Sequence, residues 1–147
     1  MMENRMIKRM FDACYLAKRT REMLPELPDG VLPSYIQYLD VIQTLEKKEV
    51  RVKVSDISDV LNLPRPGVTR TVKDMEKKGY LQKGASLEDG RVTYISATEA
   101  GKQLHRRYDE EYFSTLAPYM NEISEEEAEA MIRTIEKFYR IMCERRG

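Results

Sequence analysis

The sequence holds no apolar run near the length needed to cross a bilayer, and its start, Met1-Met2-Glu3-Asn4-Arg5, lacks the apolar core of a secretion signal. A cytoplasmic protein is therefore expected. Cysteine is scarce: Cys14 and Cys143 are too far apart for a metal-ligand or small-disulfide pattern, and both are expected to be reduced. His105 is the only histidine. With Asp109 four residues on, it would supply at most two weak metal ligands on a helix exterior, so neither metal nor cofactor is expected. No phosphate-cradling glycine loop, nucleophile elbow or paired-carboxylate site is present, which argues against an enzyme.

Net charge is also missing, since 25 basic residues balance 25 acidic ones. Zero charge might seem to exclude nucleic acid as a partner, but the distribution is uneven. From Arg51 to Ile95 nine Lys or Arg face six Asp or Glu, a balance of +3, which leaves −3 for the remainder. The asymmetry is modest and agrees with a nucleic-acid-reading module without establishing one. At 147 residues, with 34% charged and 41% hydrophobic residues, the chain has the length of one ordinary domain.

What is present lies mainly between Val54 and Thr98. Val54, Ile57, Val60 and Leu61 follow a helical period, which predicts a short helix over Ser55 to Leu61, capped by Ser55, with Ile57, Val60 and Leu61 turned inward. Asn62-Leu63-Pro64 interrupts it. A second helix is predicted over Arg65 to Lys78: Val68, Val72 and Met75 fall at i, i+4 and i+7, with Arg65, Thr69, Arg70 and Lys73 on the other side. Pro66 suits a first turn whose N–H groups lack partners, Gly67 would let the backbone approach a phosphate, and Gly79 suits a C-terminal cap. Beyond it, Tyr80-Leu81-Gln82-Lys83 and Val92-Thr93-Tyr94-Ile95 read as a two-stranded hairpin around Gly84 and Gly90.

Helix, turn, helix and hairpin is the order of a winged helix, and the residues resemble the MarR-type winged helix-turn-helix regulators. The resemblance rests on Val68-Thr69-Arg70, Glu76-Lys77-Lys78-Gly79-Tyr80-Leu81, Asp89-Gly90-Arg91 and Ser96-Ala97-Thr98-Glu99-Ala100-Gly101, and in chain order it extends over nearly the whole sequence. Two departures are visible. Pro64 stands where members often have a capping serine, and Gly84 replaces a basic residue usual at the end of the first wing strand.

The flanks read as helices. Ile7, Met10, Phe11, Cys14 and Ala17 form the buried stripe of a helix from about Asn4 to Met23. Ser34 with Gln37 predicts a capping box for a helix over Tyr35 to Lys48. Thr98 caps a long helix through Tyr119, which Pro118 should end or kink. Ser124 with Glu127 is a second capping box, ahead of a helix striped with Ala128, Met131, Ile132, Ile135, Phe138 and Met142. The fold expected is mainly α with a small β-hairpin wing, as one domain: residues 34–98 the winged helix-turn-helix region, and 1–33 and 99–147 the helices that the resemblance makes a dimerisation region.

A surplus of apolar helix surface suggests a second copy as partner, although an intrachain core would also account for the periodicity. A two-fold dimer would set its reading helices about 34 Å apart, on a pseudo-palindromic site in double-stranded DNA. Arg65, Thr69, Arg70 and Lys73 are expected to face the major groove, with Arg70 the candidate for a bidentate guanine contact and Lys73 for phosphate. A solvated charged face is the plainer reading of the same residues. Arg91 is expected in the minor groove, and Lys83 and Ser55 near phosphates. The resemblance implies a ligand-responsive repressor with a small aromatic or anionic effector, for which Tyr15, Tyr35 and Tyr38 are candidate lining residues; ordinary half-buried packing is the alternative. It also raises a peroxide-sensing role for Cys14, against inert packing. A winged-helix module repurposed for protein contact, without DNA binding, is the reading from a different class.

Overall fold

The computed structural model describes residues 1–85 and 92–146. The chain forms two units, Met1–Tyr108 and Asp109–Gly147, taken in turn.

In the first unit, α1 spans Asn4–Arg21. The helix forms as the periodicity predicts, but its apolar stripe is uncovered: every residue is exposed except Met10 and Ala17, which are half-buried. After the Pro-rich connector, α2 runs Pro33–Lys47 with Pro33 in its first turn, where a missing N–H removes no intrahelical bond. Leu32 is the N-cap, so Ser34 lies inside the helix and the expected capping box gives way to the proline start.

Chain reversal after α2 leads into β1, Val52–Lys53, a strand the sequence reading lacked. α3, Val54–Leu61, follows without a break; its N-cap is Lys53, whose N–H is taken by the Asp56 carboxylate at 2.8 Å. Ser55 is therefore a residue of the first turn and not the cap. Asn62, at φ +52, turns the chain into α4, Arg65–Lys77. β2, Leu81–Ala85, and β3, Thr93–Ala97, complete an antiparallel sheet in the order β1-β3-β2, with Val52 opposite Ile95 and Lys83 opposite Ile95 on the other side. The structure is thus mostly helical with a small three-stranded sheet.

The core of this unit gathers one face from each element: Tyr35, Leu39 and Ile42 of α2, Ile57 of α3, Val68, Val72 and Met75 of α4, with Val52, Leu81 and Ile95 from the sheet. Each such side chain contributes about 1.5–3 kcal/mol on burial. That sum fixes which way α4 faces.

Thr98 caps α5, Glu99–His105, as expected, its hydroxyl accepting from the Gly101 N–H at 3.1 Å. The long helix predicted beyond it is interrupted. A π-helical turn spans Arg106–Glu111, α6 covers Tyr112–Leu116, and a 3-10 stretch, Ala117–Glu122, carries Pro118. In the second unit Ser124 and Glu127 form the expected reciprocal cap (Glu127 N–H to Ser124 Oγ, 3.1 Å; Ser124 N–H to Glu127 Oε1, 3.3 Å), and α7 runs Glu125–Arg146. Met131, Ile132, Ile135 and Met142 of its apolar stripe are exposed. Among the described residues no helix is long and apolar enough to cross a membrane.

Candidate nucleic-acid interface

Burying Val68, Val72 and Met75 turns the opposite ridge of α4 outward, because residues three, four and seven apart share a helix face. Arg70 and Lys73 are exposed on that side, Arg65 is exposed in the first turn, and Thr69 is half-buried on the flank. These four residues therefore lie on one helix, three of them in open solvent. Lys77, seven residues beyond Arg70, shares its ridge and is exposed. The sequence reading does not include it, although its i+7 spacing from Arg70 is the signal that places it on this ridge.

The N-terminal end of α4 is open. Pro64 is the N-cap and offers no side-chain cap, and a Cβ built on Gly67 meets no described heavy atom within 4 Å. Both facts leave room for another molecule's backbone at that end. The C-terminal end is closed instead. The Tyr80 N–H bonds the Met75 carbonyl (2.9 Å) and the Gly79 N–H bonds that of Glu76 (3.0 Å), with Gly79 at φ +86: the paired bonds and left-handed residue of a Schellman cap. From α5, Thr98 donates its hydroxyl to the Gly79 carbonyl (2.5 Å) and its N–H to the Tyr80 carbonyl (3.1 Å).

Other candidates are placed as follows. Ser55 is half-buried in the first turn of α3. Lys83 is exposed on β2, with its ammonium 3.7 Å from the Glu76 carboxylate, so a phosphate would compete with that pair. Arg91, with Asp89 and Gly90, lies outside the described residues. Tyr35 and Tyr38 are core residues, 1% and 3% exposed, while Tyr15 is exposed on α1. The Tyr35 hydroxyl accepts from Lys78 Nζ at 2.8 Å, and this hydrogen bond is the leading cause that holds the Lys78 ammonium above the ordinary lysine pKa. A cavity of about 340 Å3 lies elsewhere, between the end of α2 and the sheet, lined by Glu46, Glu49, Arg51, Gly84 and Tyr94 among others. Cys14 and Cys143 are both exposed. His105 corrects the expectation of a helix-exterior residue: it is 4% exposed, and its Nε2 lies 3.0 Å from the Asp40 carboxylate of α2.

A helix, a turn, a second helix with an outward basic ridge, and a strand pair packed behind it define a winged helix-turn-helix protein. Residues 29–92 match the model of the MarR family. Members of that family are DNA-binding transcriptional regulators and not enzymes. Among solved structures, the chain is similar to the adhesin competence repressor AdcR of Streptococcus pyogenes, at 20% identity over 92% of this chain and 96% of that one, with a TM-score of 0.67. It is also similar to Streptococcus pneumoniae FabT in complex with DNA, at 21% identity, 97% and 99% coverage and a TM-score of 0.68. S. aureus MepR bound to ethidium bromide is similar at 17% identity, 96% and 97% coverage and a TM-score of 0.55. No curated protein matches the chain.

Proposed function

We propose that this protein is a homodimeric, ligand-responsive repressor that reads a pseudo-palindromic operator through residues 34–98, with the helices of 1–33 and 99–147 joining the two copies. The observation that carries the reading is the outward ridge of α4, where Arg70, Lys73 and Lys77 are exposed opposite Val68, Val72 and Met75. Arg70 is the guanine reader, Arg65 and Thr69 complete the major-groove face, Lys73 and Lys77 meet phosphates, Ser55 and Lys83 are further phosphate contacts, and Arg91 enters the minor groove. FabT, similar in fold, has been solved with DNA.

Dimerisation is supported by the apolar surface left open: Ile7, Phe11 and Leu16 on α1, and Ile132, Ile135 and Met142 on α7 are all exposed. Monomeric soluble proteins rarely display contiguous apolar stripes of this kind. The effector reading rests on MepR, which has been solved with a small aromatic cation. Tyr15, exposed on α1, is better placed than Tyr35 or Tyr38 to meet such a ligand; peroxide sensing through Cys14, also exposed, is the alternative input.

The test is a salt-dependent mobility shift on the DNA upstream of the protein's own gene, with sedimentation at the same concentration. A dimer binding that duplex with a steep salt slope is expected, and Arg70→Ala should lose about 1–3 kcal/mol of specific binding. A monomer, or equal affinity for unrelated DNA, refutes the reading.

A further inference from the structure

We propose that Lys78 is a positioning residue: its ammonium, seated between the Gly30 carbonyl and the Tyr35 hydroxyl, sets the tilt of the reading helix α4 and does not contact a DNA phosphate. The proposal rests on the DNA-reading role given above, and it goes against the plain expectation for a lysine next to Lys77 at the end of such a helix.

Lys78 Nζ donates to the Gly30 carbonyl at 2.7 Å and to the Tyr35 hydroxyl at 2.8 Å, and lies 5.0 Å from the centre of the Tyr35 ring. Lys78 is exposed, yet two of its three donors are thus taken by acceptors of its own chain. Neither acceptor is free to follow a wandering side chain. Tyr35 is 1% exposed, its ring packed in the core and 6.2 Å from that of Tyr80, while Gly30 is fixed at φ +80 in the connector ahead of α2. On the next two residues, Thr98 holds the Gly79 and Tyr80 carbonyls from the α5 side. Residues 78–80 are therefore gripped from two directions, whereas the start of α4 has no side-chain cap.

Burial of Val68, Val72 and Met75 fixes which face of α4 turns inward, and the grip on residues 78–80 sets the tilt of the helix about that end. Arg70 is eight residues from Lys78, about 12 Å at 1.5 Å per residue, so a tilt of about 5° moves it by about 1 Å. That displacement exceeds the tolerance of a bidentate base contact, whose useful donor–acceptor range is about 2.7–3.2 Å. Contacts to phosphates, made by long flexible side chains, absorb it. The junction therefore governs discrimination more than general attraction to DNA.

The experiment uses Tyr35→Phe, which keeps the ring and removes the hydroxyl, and Lys78→Met, both checked for folding by thermal melting. The probes are a duplex enriched by the wild-type protein from a random library and a scrambled duplex of equal composition, titrated over a range of salt. Each variant should lose about tenfold or more on the enriched duplex, the factor that about 1.4 kcal/mol carries. Affinity for the scrambled duplex and the slope of log K against log salt should match wild type. If Lys78→Met weakens both duplexes and lowers the slope by about 1, Lys78 is a phosphate ligand and the proposal is overturned. Wild-type discrimination by Tyr35→Phe overturns it as well, and that variant alone decides if Lys78→Met does not fold. A wild-type protein that enriches no duplex sinks the DNA-reading role itself, and this proposal with it.

Discussion

Gly67 and Gly101 each occupy the third helical position, in α4 and α5, and alanine at the two sites should act in opposite directions. A Cβ at Gly101 would lie 2.2 Å from the Tyr80 carbonyl oxygen and 3.2 Å from Leu39 Cδ2. The obstacle is backbone, so relief requires α5 and the Gly79-Tyr80 segment to separate by about 1 Å, the gap to an ordinary contact, at an overpacking cost of about 1–3 kcal/mol. That shift would also loosen the two Thr98 hydrogen bonds, each worth about 1 kcal/mol. Against this stands a helix-propensity gain of up to about 1 kcal/mol. The net destabilisation is about 2–3 kcal/mol, or roughly 5–10 °C in Tm for a chain of this size. At Gly67 the space is open, only the propensity term remains, and Gly67→Ala should melt about 1–4 °C above wild type. The assay is thermal unfolding at one fixed protein concentration, since association also shifts Tm. A Gly101→Ala protein at least as stable as wild type would refute the close approach of α5 to Tyr80.

Two further outcomes follow from hydrogen bonds already described. Ser124→Ala should cost about 1 kcal/mol by removing the acceptor for the Glu127 N–H, read as an earlier urea midpoint with unchanged m. The Lys78 pKa is raised above its ordinary value of 10.5 chiefly by the Tyr35 hydrogen bond. A raised folded pKa for a cationic group contributes stability that is fully present below the unfolded value and is lost as pH rises through the folded one. Stability should therefore hold flat in this respect through neutral pH and fall above about 10.5. Tyr35→Phe should lose less than wild type as pH rises from about 10 to about 12 in chemical unfolding; an equal loss would contradict the assignment.

Much of the winged helix-turn-helix was legible because its elements obey local rules. The period of Val68, Val72 and Met75, the glycine at 79 and the threonine at 98 each act within a few residues, and the structure keeps all of them. Elements that depend on distant partners were not legible. β1 has two residues, too few to show alternation, and exists through pairing with Tyr94 and Ile95 some forty positions later. The helical period places Val60 inward, but it is 57% exposed, and Ser58 takes the inward place instead. A hydroxyl is tolerated there since it donates to the Leu63 carbonyl at 2.6 Å, a partner beyond the helix end. The π-helical turn after His105 had no warning in the sequence. The basic ridge of α4 was readable from spacing; the intrachain hydrogen bonds of Lys78 were not, because Gly30 and Tyr35 meet it only in the folded chain.

β1 and α3 share a border with no residue between them, Lys53 closing the strand and Val54 opening the helix. The strand is also stitched to β3, so the base of the hairpin and the first turn of α3 are mechanically in series. A pull on the hairpin, whether from a bound duplex or from a tethered bead, would reach the head of α3 through the pairs Val52–Ile95 and Lys53–Tyr94.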